Sequence, residues 1–111
     1  MAMKRGAIVV VAAKGAYIGN PRPAVVVQSD LFNPTHASLT ICPITSDCVD
    51  APLFRPTLPP GPRTGLRAIS QIMIDKVVSV PRSAITRDIG HCDATELESV
   101  DEGLRRWLGL E

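Results

Sequence analysis

Residues 7–13 read AIVVVAA and residues 24–28 read AVVVQ. Each is a short β-branched run bounded by Gly, Pro or Asn, which is the pattern of a buried strand. A branched Cβ restricts χ1 and fits a pleated surface better than a helix. Between the two runs lies KGAYIGNPRP, residues 14–23, whose two glycines and Asn-Pro step mark a loop rather than a tight hairpin. Loops of this kind commonly carry function.

Further along, Leu39–Ile44 (LTICPI) reads as a third strand. Pro43 near its end predicts an edge or a bulge, where no ladder N–H is needed. Residues 46–65, SDCVDAPLFRPTLPPGPRTG, hold five of the ten prolines and predict a stiff, extended connection in which Leu53–Leu58 can pair briefly. Leu66–Ile72 and Ile74–Val80 restore the strand pattern, so five or six short strands are expected, enough for a small β-barrel. After Pro81 the pattern turns helical. A short turn is expected at Arg82–Ile85, and Leu97, Val100, Leu104, Trp107 and Leu108 recur on one helical face. Asp93 with Glu96 three residues later forms a capping box, and Gly109 stands where a C-terminal cap belongs. The expected fold is therefore mainly β with helices, a barrel with a C-terminal α-helix packed on it by that stripe, Trp107 included. There is no internal repeat.

At 111 residues and 45% hydrophobic, the chain suits one compact core, read as a single domain over 1–111. A net charge of +1 excludes a strongly basic, non-specific nucleic-acid binder, whose affinity comes from phosphate neutralisation. The distribution says more. Met1 to Ser70 carries seven Lys and Arg against three Asp, whereas Gln71 to Glu111 carries five against eight acids. A basic front and an acidic tail let an anionic ligand approach from one side. The three cysteines Cys42, Cys48 and Cys92 show no Cys-x-x-Cys spacing and read as buried small hydrophobes rather than disulfide or zinc partners. The longest apolar stretch, Gly6 to Ala13, is too short to span a bilayer and lacks a signal-peptide pattern, so a cytoplasmic protein with no membrane partner is expected.

Five segments in order, KRGAIVVV (4–11), PRPAVVVQSD (21–30), LTICPITS (39–46), GLRAISQIMIDKVVSVPRSAI (65–85) and IGHCDATELESVDEGL (89–104), resemble the MazF/PemK toxins over nearly the whole chain. The resemblance implies an SH3-like, partly open barrel of the CcdB-PemK type. It also implies a homodimer that cuts single-stranded RNA at a short sequence without a metal or other cofactor, and a cognate antitoxin protein as inhibitor. Arg22 matches the family's RP-strand arginine and Thr45 the hydroxyl residue closing the PITS strand, the pair regarded as catalytic. The chemistry agrees: attack by RNA's own 2′-hydroxyl builds negative charge on phosphorus, and a guanidinium offers fixed donors and a charge. Guanidinium is a poor base, so transition-state stabilisation is its role. Thr45 can hold a phosphate oxygen or relay a proton, with Ser46 assisting. Substrate contacts are expected from polar loop groups, Lys14 to Asn20 and Asp47 to Arg67, and in particular from Lys14, Tyr17, Asn20, Ser46, Arg67, Ser70 and Asp75. The sequence departs from some relatives in two places. Met73 stands two positions before Asp75 where a basic residue occurs in them, and Tyr17 replaces an acidic residue.

Each of these residues has a plainer reading. Arg22 between two prolines is, by itself, a solvated loop charge, and the family motif turns the balance to catalysis. Thr45 and Ser46 can satisfy a turn, Ser70 can be an ordinary strand residue, and Asp75 can be ion-paired. His36 and His91 invite an acid–base reading, but loop and capping roles outweigh it and neither spacing suits a metal. Two other functions fit the same barrel: a topoisomerase poison resembling CcdB, or a binding homologue without catalysis.

Overall fold

The computed structural model describes residues 3–12 and 20–111. Seven strands run β1 (Ala7–Val11), β2 (Arg22–Val26), β3 (Ser38–Thr45), β4 (Thr57–Leu58), β5 (Ser70–Ile72), β6 (Val78–Pro81) and β7 (Ile85–His91), followed by helix α1 (Ala94–Leu108). They form one curled antiparallel sheet in the order β4-β5-β3-β2-β1-β7, with β6 also paired to β3. The result is a half-barrel with one C-terminal helix.

All five residues of β1 are buried, which is why it reads as an unbroken apolar run. Alternation sorts them to two faces: Ala7, Val9 and Val11 join one core cluster with Val26, Leu39, Ile41 and Val80, and Ile8 joins the other with Val25, Ile44, Ile72, Ile74 and Val100. Helix α1 covers the second cluster. Its Asp93 accepts from the Glu96 backbone N–H at 2.8 Å, the Glu96 carboxylate accepts from Asp93 N–H at 2.9 Å, and Gly109 takes φ 72°, as the cap residues predict. Val100 is fully buried, and Gly103 lets the helix lie against Ile74.

Five expectations change. Pro43 does not mark an edge, because β3 is central: on one side Pro43 opposes Ala24 of β2, while on the other the partner switches from β6, paired as far as Ile41, to β5, which starts at Ile44. The missing N–H falls at that switch. Ile74–Val80 is not one strand, since a 3-10 turn at Ile74–Lys76 precedes β6. Strand β7 was not expected, because the consecutive exposed residues Thr86, Arg87 and Asp88 break the apolar alternation. Trp107 is 49% exposed at the end of α1, its ring 5.6 Å from that of Phe54, because the stripe outlasts the sheet beneath it. Cys42 and Cys92 are buried, and burial pushes both thiols up to about 12, but Cys48 is exposed on a loop rather than packed inside.

Candidate active site

Three neighbouring strand ends open onto one cleft. Strands β2 and β3 pair as far as Ala24 opposite Pro43, and beyond that last pair Arg22, first residue of β2, and Thr45, last residue of β3, both reach the same cleft. On the other side of β3, Thr45 pairs with Gln71 of β5, whose first residue is Ser70. The cleft between them measures about 520 Å³ and is lined by Arg22, Pro23, Ile44, Thr45, Ser46, Asp47, Leu66, Arg67, Ala68 and Ser70.

Arg22 and Arg67 are exposed, and neither side chain has a hydrogen-bond or ion-pair partner among the described residues. Thr45 is half-buried, and its Oγ1 accepts from the Asp47 backbone N–H at 3.0 Å. With that lone pair engaged, the hydroxyl proton is free to donate into the cleft. Ser70 is buried, and its hydroxyl donates to the Ala68 carbonyl at 2.9 Å, so it shapes the wall of the cleft.

The outer wall, Leu66–Ala68, is held from behind. Gly65 takes φ 74°, and a Cβ there would strike the Ile89 carbonyl, while one on Gly90 would strike the backbone of Arg63 and Thr64. Only glycines allow this backbone-to-backbone approach to β7. Arg63 adds a bidentate pair with Glu96 at 2.7 and 3.0 Å and a bond to the His91 carbonyl at 3.0 Å, tying the loop to the start of α1. Arg67 is thus carried on an anchored segment.

Of the expected site residues, Arg22, Thr45, Ser46, Arg67 and Ser70 meet at this cleft. Asn20 is exposed and does not line it, and Lys14 and Tyr17 lie outside the described residues. Asp75 sits on the 3-10 turn after β5, away from the cleft lining, with Arg55 forked onto it at 2.9 and 3.0 Å. Burial works against its charge, but the Arg55 bonds and charge outweigh burial and hold the carboxyl below its ordinary value. Met73 is buried. His36 and His91 do not line the cleft. Two further residues bear on the site: Asp47, which opens the second loop stretch expected to contact substrate, and Gln71, which the sequence reading did not single out. Asp47 lines the cleft, and buried Gln71 bonds both backbone groups of Val49. The signal for Gln71 was a polar residue inside an apolar strand run.

The class these features define is a small curled half-barrel with a cationic, hydroxyl-bearing cleft at the strand ends. Residues 4–108 match the family described as PemK-like, MazF-like toxin of type II toxin-antitoxin system. The chain is 45% identical over 108 residues to "Probable endoribonuclease MazF" of Mycolicibacterium smegmatis, covering 97% of this chain and 98% of the relative. It superimposes with a TM-score of 0.82 on the MazE-MazF complex (Form-III) from Deinococcus radiodurans, at 25% identity and 100% coverage of both chains. A Mycobacterium tuberculosis toxin, MazF-mt6, shares the fold at a TM-score of 0.82 and 18% identity, covering 95% of this chain and 98% of that one. The chain belongs to the PemK/MazF toxin family.

Proposed function

We propose that the protein is the toxin of a type II toxin–antitoxin system, a sequence-specific, metal-independent endoribonuclease that cleaves single-stranded RNA by 2′-hydroxyl attack. The observation that carries this reading is that Arg22, at the start of β2, and Thr45, at the end of β3, line one cleft, the arginine without a protein partner among the described residues. The 2′-oxygen bonds to phosphorus, the P–O5′ bond breaks, and the products are a 2′,3′-cyclic phosphate and a 5′-hydroxyl. The proton leaving the 2′-hydroxyl is matched by one gained at the 5′-oxygen. Arg22 stabilises the charge that grows on the non-bridging oxygens, and the free Thr45 proton donates to one of them. Arg67 and Ser46 hold the strand. Ser70 supports the wall, and Asp75 serves stability rather than substrate contact.

The relative named as an endoribonuclease and the MazE-MazF complexes among the structural neighbours support a cognate antitoxin as partner. An acidic antitoxin segment would compete with RNA for the cleft. A homodimer would bring the basic residues of two chains onto one RNA. The unpaired cysteines suit the cytoplasm. A topoisomerase poison on the same barrel is not favoured, since the curated relatives are named endoribonucleases and Trp107 belongs to helix α1 rather than a free tail.

The test is incubation with a long single-stranded RNA in EDTA, comparing wild type with Arg22→Ala and mapping the ends. Site-specific cuts with cyclic phosphate ends, lost in the variant, are expected. Intact RNA with well-folded wild type across varied substrates would sink the reading.

A further inference from the structure

One side chain runs against the rest of the cleft. Arg22, Arg67, Thr45 and Ser46 all suit a phosphodiester, but Asp47 repels one. A carboxylate beside an anionic backbone weakens binding unless it accepts hydrogen bonds from another part of the substrate. Asp47 is also held in place from both directions. Its own N–H donates to Thr45 Oγ1 at 3.0 Å. Two residues on, the Gln71 side-chain amide accepts from Val49 N–H at 3.0 Å and donates to the Val49 carbonyl at 2.7 Å. Gln71 is only 8% exposed, so this clamp is fixed in the body of the sheet. With the backbone pinned on both sides of Asp47, the carboxylate can reach only one stretch of the rim, as reading a base requires.

An ionised carboxylate only accepts hydrogen bonds. Guanine, adenine and cytosine each present an exocyclic amino group on the edge that single-stranded RNA exposes. Uracil presents a single N–H between two carbonyl oxygens, which a carboxylate repels. We propose that Asp47 is a specificity-determining residue, selecting a base with an exocyclic amino group at one position beside the cut and rejecting uracil. Cys48 Sγ donates to the Ile69 carbonyl at 3.8 Å, tying the Asp47 segment to the loop that leads into β5, and the neighbouring exposed side chains of Val49 and Ile69 offer apolar surface to a base. The assignment rests on the endoribonuclease reading above.

The experiment takes an oligonucleotide carrying a mapped cut site and removes amino groups one base at a time: cytidine to uridine, guanosine to inosine, adenosine to purine riboside. The substitution that matters identifies which base is read. At one position wild-type kcat/KM should fall roughly ten- to a hundred-fold, and Asp47→Asn, whose amide donates as well as accepts, should narrow that ratio to within about threefold. Asp47→Ala provides a second variant, with the Tm of both confirming the fold. Wild type indifferent to every flanking amino group, or both variants keeping the wild-type ratio, overturns the assignment of Asp47 alone. RNA left intact by wild type overturns the endoribonuclease reading with it.

Discussion

Two sets of arginines divide the molecule. Arg55 and Arg63 are each forked onto a carboxylate, Asp75 and Glu96, with the Arg55 side chain only 12% exposed. Arg22 and Arg67, at the cleft, have no such partner among the described residues. A guanidinium already engaged spends its donors on holding elements together. One left exposed loses little stability by being unpaired, since water solvates it, and it keeps all its donors for an incoming anion. The paired arginines build the frame, and on the proposed function the unpaired ones are the groups that would receive a phosphate.

The sharpest way to break this contrast is at Arg22. Replacing it with Ala should lower cleavage by about 10²–10³-fold, the scale of losing one aimed donor to transition-state charge. Thermal stability should stay within about 0.5 kcal/mol of wild type, as for an unpaired surface side chain. Arg22→Lys should recover only a small part of the rate, because a point charge lacks the planar fork. Measured side by side, rate and Tm separate the two roles; a large fall in Tm for Arg22→Ala would place Arg22 with the frame.

The frame was legible in the sequence wherever burial was two-sided or a cap had a fixed chemistry. The valine runs of β1 and β2 and the Asp93–Glu96 box needed nothing beyond local rules. Strand β7 was not, because an edge strand paired on one side shows solvent the polar run Thr86–Asp88, and only its tertiary pairing to β1 makes it a strand. Trp107 misled for the complementary reason: helical spacing fixes a face but not how far the sheet beneath extends. At the site, Arg22 taken alone reads as a loop charge, and the resemblance gave it a role. Asp75 reads equally as a substrate contact and as an ion-paired carboxylate, and its partner Arg55, twenty residues away in sequence, lies beyond any local pattern.

A smaller effect is expected at that pair. Asp75→Asn leaves Arg55 without its charge partner in a mostly buried site and should destabilise the fold by about 2 kcal/mol, with cleavage at saturating RNA unchanged. The pH dependence has a definite sign. The folded carboxyl is held below its ordinary value of 3.8, so the pair's contribution is complete above that value and is lost as pH falls through the lower, folded one. The gap in stability between wild type and Asp75→Asn should therefore be constant from neutral pH down to about 5 and shrink only below about 4. A gap that closes nearer neutrality would mean another group titrates at the pair.

Arg67 gives the finest test, because it belongs to the cleft by position but stands on a segment the frame anchors. The Gly65–Ile89 approach and the Arg63–Glu96 pair fix the loop from behind, so Arg67→Ala removes a charge without loosening the wall. If Arg67 meets a phosphate of the bound strand, the variant should weaken RNA binding several-fold at every sequence alike. It should also flatten the slope of log affinity against log salt by about 0.7, the share of one phosphate contact on a single strand. Asp47→Asn at the same rim removes a negative charge instead of a positive one, so it alters which base is accepted and does not flatten the slope in that way. The two variants therefore separate backbone attraction from base selection within one cleft. Arg67→Ala with an unchanged salt slope would remove Arg67 from the receiving set and leave Arg22 as the cleft's working cation among the described residues.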